Sequence, residues 1–556
     1  MEKRIFLAVL ISIVLLVVWS AVLPRFFPEL AKKPEPAKPA VTRTTTAPTT
    51  VGEPTPSAAT PIASTQAASV TAAATAPVAA TAVETSTIDT PDFVAVFSNR
   101  GAQLVSFKLK KYNRKDAPNQ LVDLVRTREP NRTDFPFMIE ARDVPFATRV
   151  NGALFTVADR TERGTRILDY RYSDGQRTVT KTFRFDPLRP FLFDFSTTVQ
   201  PPVPYRLSIG PGLRTIGPQE VDSASVITGN GVVSREGKFK VLGREKGDRL
   251  QVFDNIDYIG IEDNYFLSVL RPVAAGEGVL NRISHTDPGT KKKRDDFFAS
   301  VNATAEGTVA GNAFFGPKET KVLDAYGFGD ALQFGWFGLI ARFFLTALVW
   351  INTFTKNYGF AIIVLTIVIK IVLYPLQHKS NVSMKKMQRV QPKVEAIKAK
   401  YKKSRTDADQ RTKMNTEMMQ LYQKEGINPM AGCLPIVLQL PILWGFYNLL
   451  SRAIELRGAP WILWIKDLSE KDPTYVLPIL MTATMFLQTY LTPATGDPAQ
   501  RKMFLIMPLV FGFLFKDFPS GLVLYWLVQN ILTIIQQLIM NKWWKDHPDD
   551  LQTTTA

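Results

Sequence analysis

Residues 357 to 377, NYGFAIIVLTIVIKIVLYPLQ, form an apolar run of the length that crosses a bilayer, since roughly twenty residues rising about 1.5 Å each match a hydrocarbon layer about 30 Å thick. A chain carrying such a run folds around a membrane. The run holds one charge, Lys370. An ammonium at membrane depth costs about 2.5–3.5 kcal/mol on insertion-derived scales, so it marks a functional position by default. The plainer reading is a snorkelling stem, because Lys370 lies only about 10 Å of helix from the end of the run. Polar side chains recurring in the neighbouring apolar runs favour a wet, protein-lined cavity instead.

Composition averaged over the 556 residues hides three unlike regions. Lys3 and Arg4 precede nineteen uncharged residues, Ile5 to Leu23, longer than the core of a cleaved signal peptide. Residues 1–24 read as an uncleaved anchor whose N-terminus the positive charges hold in the cytoplasm. Residues 25–90 are rich in Pro, Ala and Thr, too poor in large apolar side chains to offset the entropy of ordering, and read as a disordered linker. From 91 to 325 the period becomes two. Phe191 to Phe195 alternates, Asp174-Gly175 sits between two strand-like runs as a hairpin turn, and Asn99-Arg100-Gly101 reads as another turn. These signals predict an all-β sandwich, in the periplasm if the cell has two membranes.

Enzyme and metal signatures are missing. The chain has no nucleophile elbow, Walker loop or zinc-protease helix. Cys433 is the single cysteine and His285 has no second histidine nearby in sequence. No cofactor and no metal are expected. Lys291 to Asp296 reads as a solvated loop. The net charge of +17 suits anionic lipid or nucleic acid as a partner, but basic cytoplasmic loops produce it anyway.

Residues 330–356 read as an amphipathic helix in the outer interface with Arg342 reaching water. The span 357–377 follows. Residues 378–430 carry thirteen Lys/Arg against five Asp/Glu, which places them in the cytoplasm. Within them Met384, Met387, Val390, Val394, Ile397 and Tyr401, then Met414, Met418, Leu421 and Tyr422, recur at helical spacing, so a helical hairpin turning across 402–407 is expected. Its methionines suit either an adaptable apolar surface or an internal seam; Lys385, Lys386 and Arg389 add its charge. Four more apolar runs between 431 and 541 and a short tail over 542–556 give a six-helix membrane protein with both termini cytoplasmic.

The polar residues within these spans include Thr366, Lys370, Gln439, Asn448, Thr482, Thr484, Gln488, Gln529, Asn530, Gln536 and Gln537. Facing lipid they would be unsatisfied, so they pair between helices or face water. No Asp or Glu lies in the apolar cores to neutralise Lys370. An unpaired cation needs hydration, which implies a groove open to the cytoplasm with Lys370 near its closed end.

Tyr374-Pro375-Leu376, the basic hairpin, Asn428-Pro429, Gly432-Cys433, Pro435, Gln439, Pro441-Ile442, Phe518-Pro519-Ser520-Gly521-Leu522, Leu524-Tyr525-Trp526 and Asn530 together resemble the YidC/Oxa/Alb membrane protein insertases, in the Gram-negative form with a large periplasmic domain. The resemblance covers essentially the whole chain. It implies a five-helix insertase core after the N-terminal anchor, and a hydrophilic groove whose basic residue, usually Arg, is here Lys370. It also implies contact of a nascent helix with Thr366, Leu443, Met481, Tyr525 and Trp526, between the third and fifth spans of the core, with Trp526 replacing a frequent Tyr. Implied partners are nascent membrane proteins, the Sec translocon (SecYEG and SecDF), the ribosome, the signal recognition particle receptor and anionic lipids. The short acidic tail from Asp546 to Asp550 departs from a long basic one and leaves ribosome contact to the hairpin. Rival readings are a small-solute or ion transporter, which predicts internal repeats that are not visible, and a membrane-anchored periplasmic ligand-binding protein.

Overall fold

The computed structural model describes residues 76–114, 117, 119–125, 134–211, 213, 229–242, 250–273, 276–286, 293–335, 337–401, 407–427, 434–492 and 498–546. The expected N-terminal anchor, most of the linker, and Asn428-Pro429 and Gly432-Cys433 lie outside them.

Strands β1 (Thr85–Asp89), β2 (Phe93–Ser98), β3 (Gln103–Asn113) and β4 (Leu121–Asp123) form one antiparallel sheet in chain order. A second sheet of thirteen strands among the described residues runs between Met138 and Pro317. The two meet through phenylalanines that strand alternation turns to one side. Phe97 meets Phe183 at 4.5 Å, Phe107 meets Phe315 at 5.6 Å and Phe93 meets Phe185 at 6.4 Å across the two sheets. Both expected turns form: Gly101 and Ala102 take positive φ between β2 and β3, and Gly175 does so between Thr165–Ser173 and Thr178–Phe185. The linker ends earlier than expected. Thr85-Ser86-Thr87-Ile88 pairs with β2, because its β-branched residues favour a strand that the Ala/Pro/Thr average of the tract conceals.

In TVTKTFRF the inward positions are Val179, Lys181, Phe183 and Phe185, so Lys181 is carried into the core by its neighbours' register. It is fully buried and donates to Gly101 O at 2.6 Å and Phe137 O at 2.7 Å. Burial pushes its ammonium down to about 7.

The helices are α1 (Val144–Gly152) and α2 (Thr320–Ala325) at the β domain, then α3 (Gly338–Thr355), α4 (Tyr358–Lys400), α5 (Ala408–Lys424), α6 (Leu434–Arg452), α7 (Val476–Leu491), α8 (Pro498–Phe515) and α9 (Ser520–Asp546). By length and composition, α3, α4 and α9 are long and apolar enough to cross a membrane; α7 and Phe504–Phe515 of α8 are shorter apolar helices. Helix α9 packs against α4, α6 and α7, while α8 lies on α7 and α3 on α4 and α6.

Two expected boundaries move. The division at 377/378 is no break: α4 runs for 43 residues through Pro375 and Pro392, since a change from apolar to charged side chains leaves helical spacing intact. Residues 542–546 belong to α9 rather than to a separate tail, with Trp544 buried beside Met540 and Val382 of α4. Arg342 is exposed and also donates to Gly329 O at 2.7 Å and Leu332 O at 3.1 Å.

Residues 453–472 close the end of the bundle nearest the β domain. The first amides of α9 would be orphan donors; Ser520 N donates to Glu470 O at 2.6 Å and Gly521 N to Leu468 O at 2.9 Å. The first amides of α7 are served by Asp472, which accepts from Leu477 N at 2.7 Å. Asn357 caps α4 and donates to Trp461 O at 3.0 Å. Gly359 lets that indole lie on the helix, and a Cβ there would overlap it. The same segment grips the β domain: Glu455 accepts from Thr320 N and Oγ1, both at 3.1 Å, and the Arg457 guanidinium donates to Asn113 O at 3.1 Å over the rings of Tyr265 and Phe266. Burial raises the Glu455 carboxyl above its usual range.

Two outcomes follow. Gly359→Ala overpacks the indole and lowers stability by about 1–3 kcal/mol, and Trp461→Ala in the same chain relieves part of that loss in melts of the detergent-solubilised protein. Between pH 7 and 10.5 the unfolded chain holds a proton that buried Lys181 has shed, so folding stability rises with pH across that window. Lys181→Met removes this rise, as read from melting temperature against pH.

Candidate functional site

Lys370 lies on the side of α4 that meets α9 and is 8% exposed. Its ammonium donates to Thr533 Oγ1 at 2.8 Å, and among the described residues it forms no ion pair. Thr533 Oγ1 donates in turn to Gln529 O at 2.7 Å. One turn before Lys370, Thr366 is fully buried and donates to Ile362 O at 2.6 Å on its own helix.

Other expected residues gather on α9 in two places. Toward α6, Gln439 Nε2 donates to the buried Tyr525 hydroxyl, and the Tyr525 ring stacks on Phe446 at 4.4 Å; Leu443 is half-buried on the same helix. Toward α7, Asn530 Nδ2 donates to Met481 O and to Thr484 Oγ1, each at 3.3 Å. Farther along, Gln537 Nε2 donates to Thr492 Oγ1 at 2.9 Å. The Oε1 atoms of Gln488 and Gln537 are buried without a partner among the described residues. Asn530 and Gln537 are two turns apart, so one stripe of α9 carries both polar contacts with α7.

Trp526 stands elsewhere, half-buried against Phe515 at 5.1 Å and Phe511 at 6.1 Å of α8. In the hairpin, Met387 joins Val390, Val394, Met418, Leu421, Tyr422 and Ile427 in an internal seam. Lys393–Glu425 at 2.6 Å and Lys400–Glu417 at 3.0 Å bridge its two helices. Met384, Lys385 and Lys386 are half-buried and Arg389 is exposed; the Lys385 ammonium sits 5.7 Å over the Trp544 ring.

Residues 350–547 match the family model described as 60Kd inner membrane protein, and residues 85–347 match the YidC periplasmic domain. A relative named membrane protein insertase YidC, from Geotalea daltonii, is 35% identical over 98% of this chain and 99% of its own length. The chain belongs to the YidC family. It is an inner-membrane protein with a periplasmic domain. The YidC relative from a Geobacter species is 36% identical over 82% of this chain and 85% of its own. A solved structure described as an active YidC insertase with its first transmembrane domain resolved is 19% identical, covers 82% of this chain and 92% of its own, and has a TM-score of 0.36.

Sequence reasoning missed Thr533 and Thr492. Thr533 follows Gln529 by four residues and Asn530 by three, a spacing that alone places it beside them on α9. Asn530→Ala is expected to weaken the α7–α9 contact by about 0.6 kcal/mol and at most about 1.7, the range of interhelical hydrogen bonds in membranes, as read from unfolding in mixed micelles.

Proposed function

We propose that this chain inserts and folds helical membrane proteins through a groove open to the cytoplasm, with Lys370 as the charge that meets them. The observation carrying this reading is the buried ammonium held by a hydroxyl rather than a carboxylate, together with the insertase name of the relatives. A cation left un-neutralised in a partly dry site attracts acidic residues in the leading tail of a cargo protein. A negative-inside potential then drives those acids outward, with about 2.3 kcal/mol per charge per 100 mV. The apolar helix that follows leaves sideways into lipid, favoured by about 25 cal/mol per Å² of apolar surface removed from water. No covalent bond is made or broken, so the chain acts as an insertase and chaperone rather than an enzyme.

In this reading α4 and α6 to α9 are the five-helix core after the N-terminal anchor, α3 lies in the outer interface, and both termini are cytoplasmic. Thr366, Gln439, Leu443, Met481, Gln488, Tyr525, Trp526, Gln529 and Asn530 line the cargo path. The hairpin of α4 and α5 is the cytoplasmic face for the ribosome, the signal recognition particle receptor or anionic lipid, through Met384, Lys385, Lys386, Met387 and Arg389. SecYEG and SecDF are its partners in this reading. Reconstituted into proteoliposomes, Lys370→Arg keeps insertion of a short acidic-tailed membrane protein while Lys370→Ala weakens it. Equal activity of the two variants removes the electrostatic role.

A further inference from the structure

We propose that Thr533 is a positioning residue for Lys370 and sets how strongly the site favours acidic cargo; this rests on the insertase reading above. An ammonium has three N–H donors, and Lys370 places one of them on Thr533 Oγ1. Thr533 is itself oriented, because its own proton goes to Gln529 O one turn back. Its lone pairs are left for the ammonium. A neutral acceptor aims the head group without cancelling its charge, whereas a carboxylate in the same place would neutralise it. The remaining N–H donors are available to a carboxylate arriving on cargo, and such charge-assisted bonds are about twice as strong as neutral ones.

The aim is transmitted by α9. Asn530, three residues before Thr533, is bound to Met481 O and Thr484 on α7, which fixes the rotation of α9 about its axis. A β-branched residue bonded back to its helix holds a restricted χ1. The α7 seam therefore sets where Thr533 points, and Thr533 sets where Lys370 points.

The test uses the full-length chain in proteoliposomes and a single-span cargo whose translocated tail carries no, two or four aspartates. Wild type inserts more cargo as aspartates are added. Thr533→Ala and Thr533→Val lower insertion of the four-aspartate cargo about tenfold, the worth of a hydrogen bond to a charged group, and leave the uncharged cargo within about twofold. Thr533→Ser keeps the wild-type dependence, and adding Thr533→Ala to Lys370→Ala changes nothing further. Parallel loss of charged and uncharged cargo in both Ala and Val variants, or an unchanged dependence on aspartate number, overturns the proposal. Lys370→Ala is scored separately: if it alone preserves the aspartate dependence, the electrostatic reading of the site fails, whatever Thr533 does.

Discussion

An ammonium held inside a helix bundle by a hydroxyl sets the terms for the rest of the membrane half. Neutralising Lys370 with a carboxylate would make the bundle easier to dry and pack, but the site would lose its charge. The structure keeps the charge and supports it with dipoles: Thr533 accepts from the ammonium and is itself held by the Gln529 carbonyl. Such an arrangement needs exact helix rotation, because a hydroxyl serves only one direction. The polar contacts of α9 with α6 and α7 supply it. Lipid-facing apolar side chains could not, since they gain nothing by choosing one neighbour over another.

The opposite end of the bundle is built differently. There the segment 453–472 satisfies the first amides of α7 and α9 and seats an indole on Gly359. Through Glu455 and Arg457 the same segment holds the β domain. The periplasmic domain is therefore joined to the bundle by bonded contacts as well as by the chain.

Much of this was legible in the sequence. Apolar runs gave α4 and α6 to α9, period-two alternation gave the sandwich, and helical spacing gave the seam from Met387 to Tyr422. Misreadings arose where composition stood in for periodicity. The tract average hides β1, and the switch from apolar to basic residues at His378 marks a change of surroundings but no helix end, since α4 passes through it. Lys181 was invisible because a lysine in an alternating strand is normally assigned outward, and only its register with Val179 and Phe183 reveals it. Asn530 stood out from its apolar neighbours. Thr533 did not, since a threonine in a membrane helix can satisfy its own hydroxyl and its tertiary bond has no sequence mark.

The continuity of α4 has a mechanical meaning. Forty-three residues make a rod about 65 Å long, with the Asn357–Trp461 contact at one end and the loop into α5 at the other. Pro375 and Pro392 each remove a ladder hydrogen bond, so bending concentrates at those two joints instead of spreading along the rod. The first joint lies five residues beyond Lys370. Beyond it Val382 and Lys385 still rest on Trp544 of α9, so a load taken up by the basic arm bends the joint at Pro392 before it reaches the lysine.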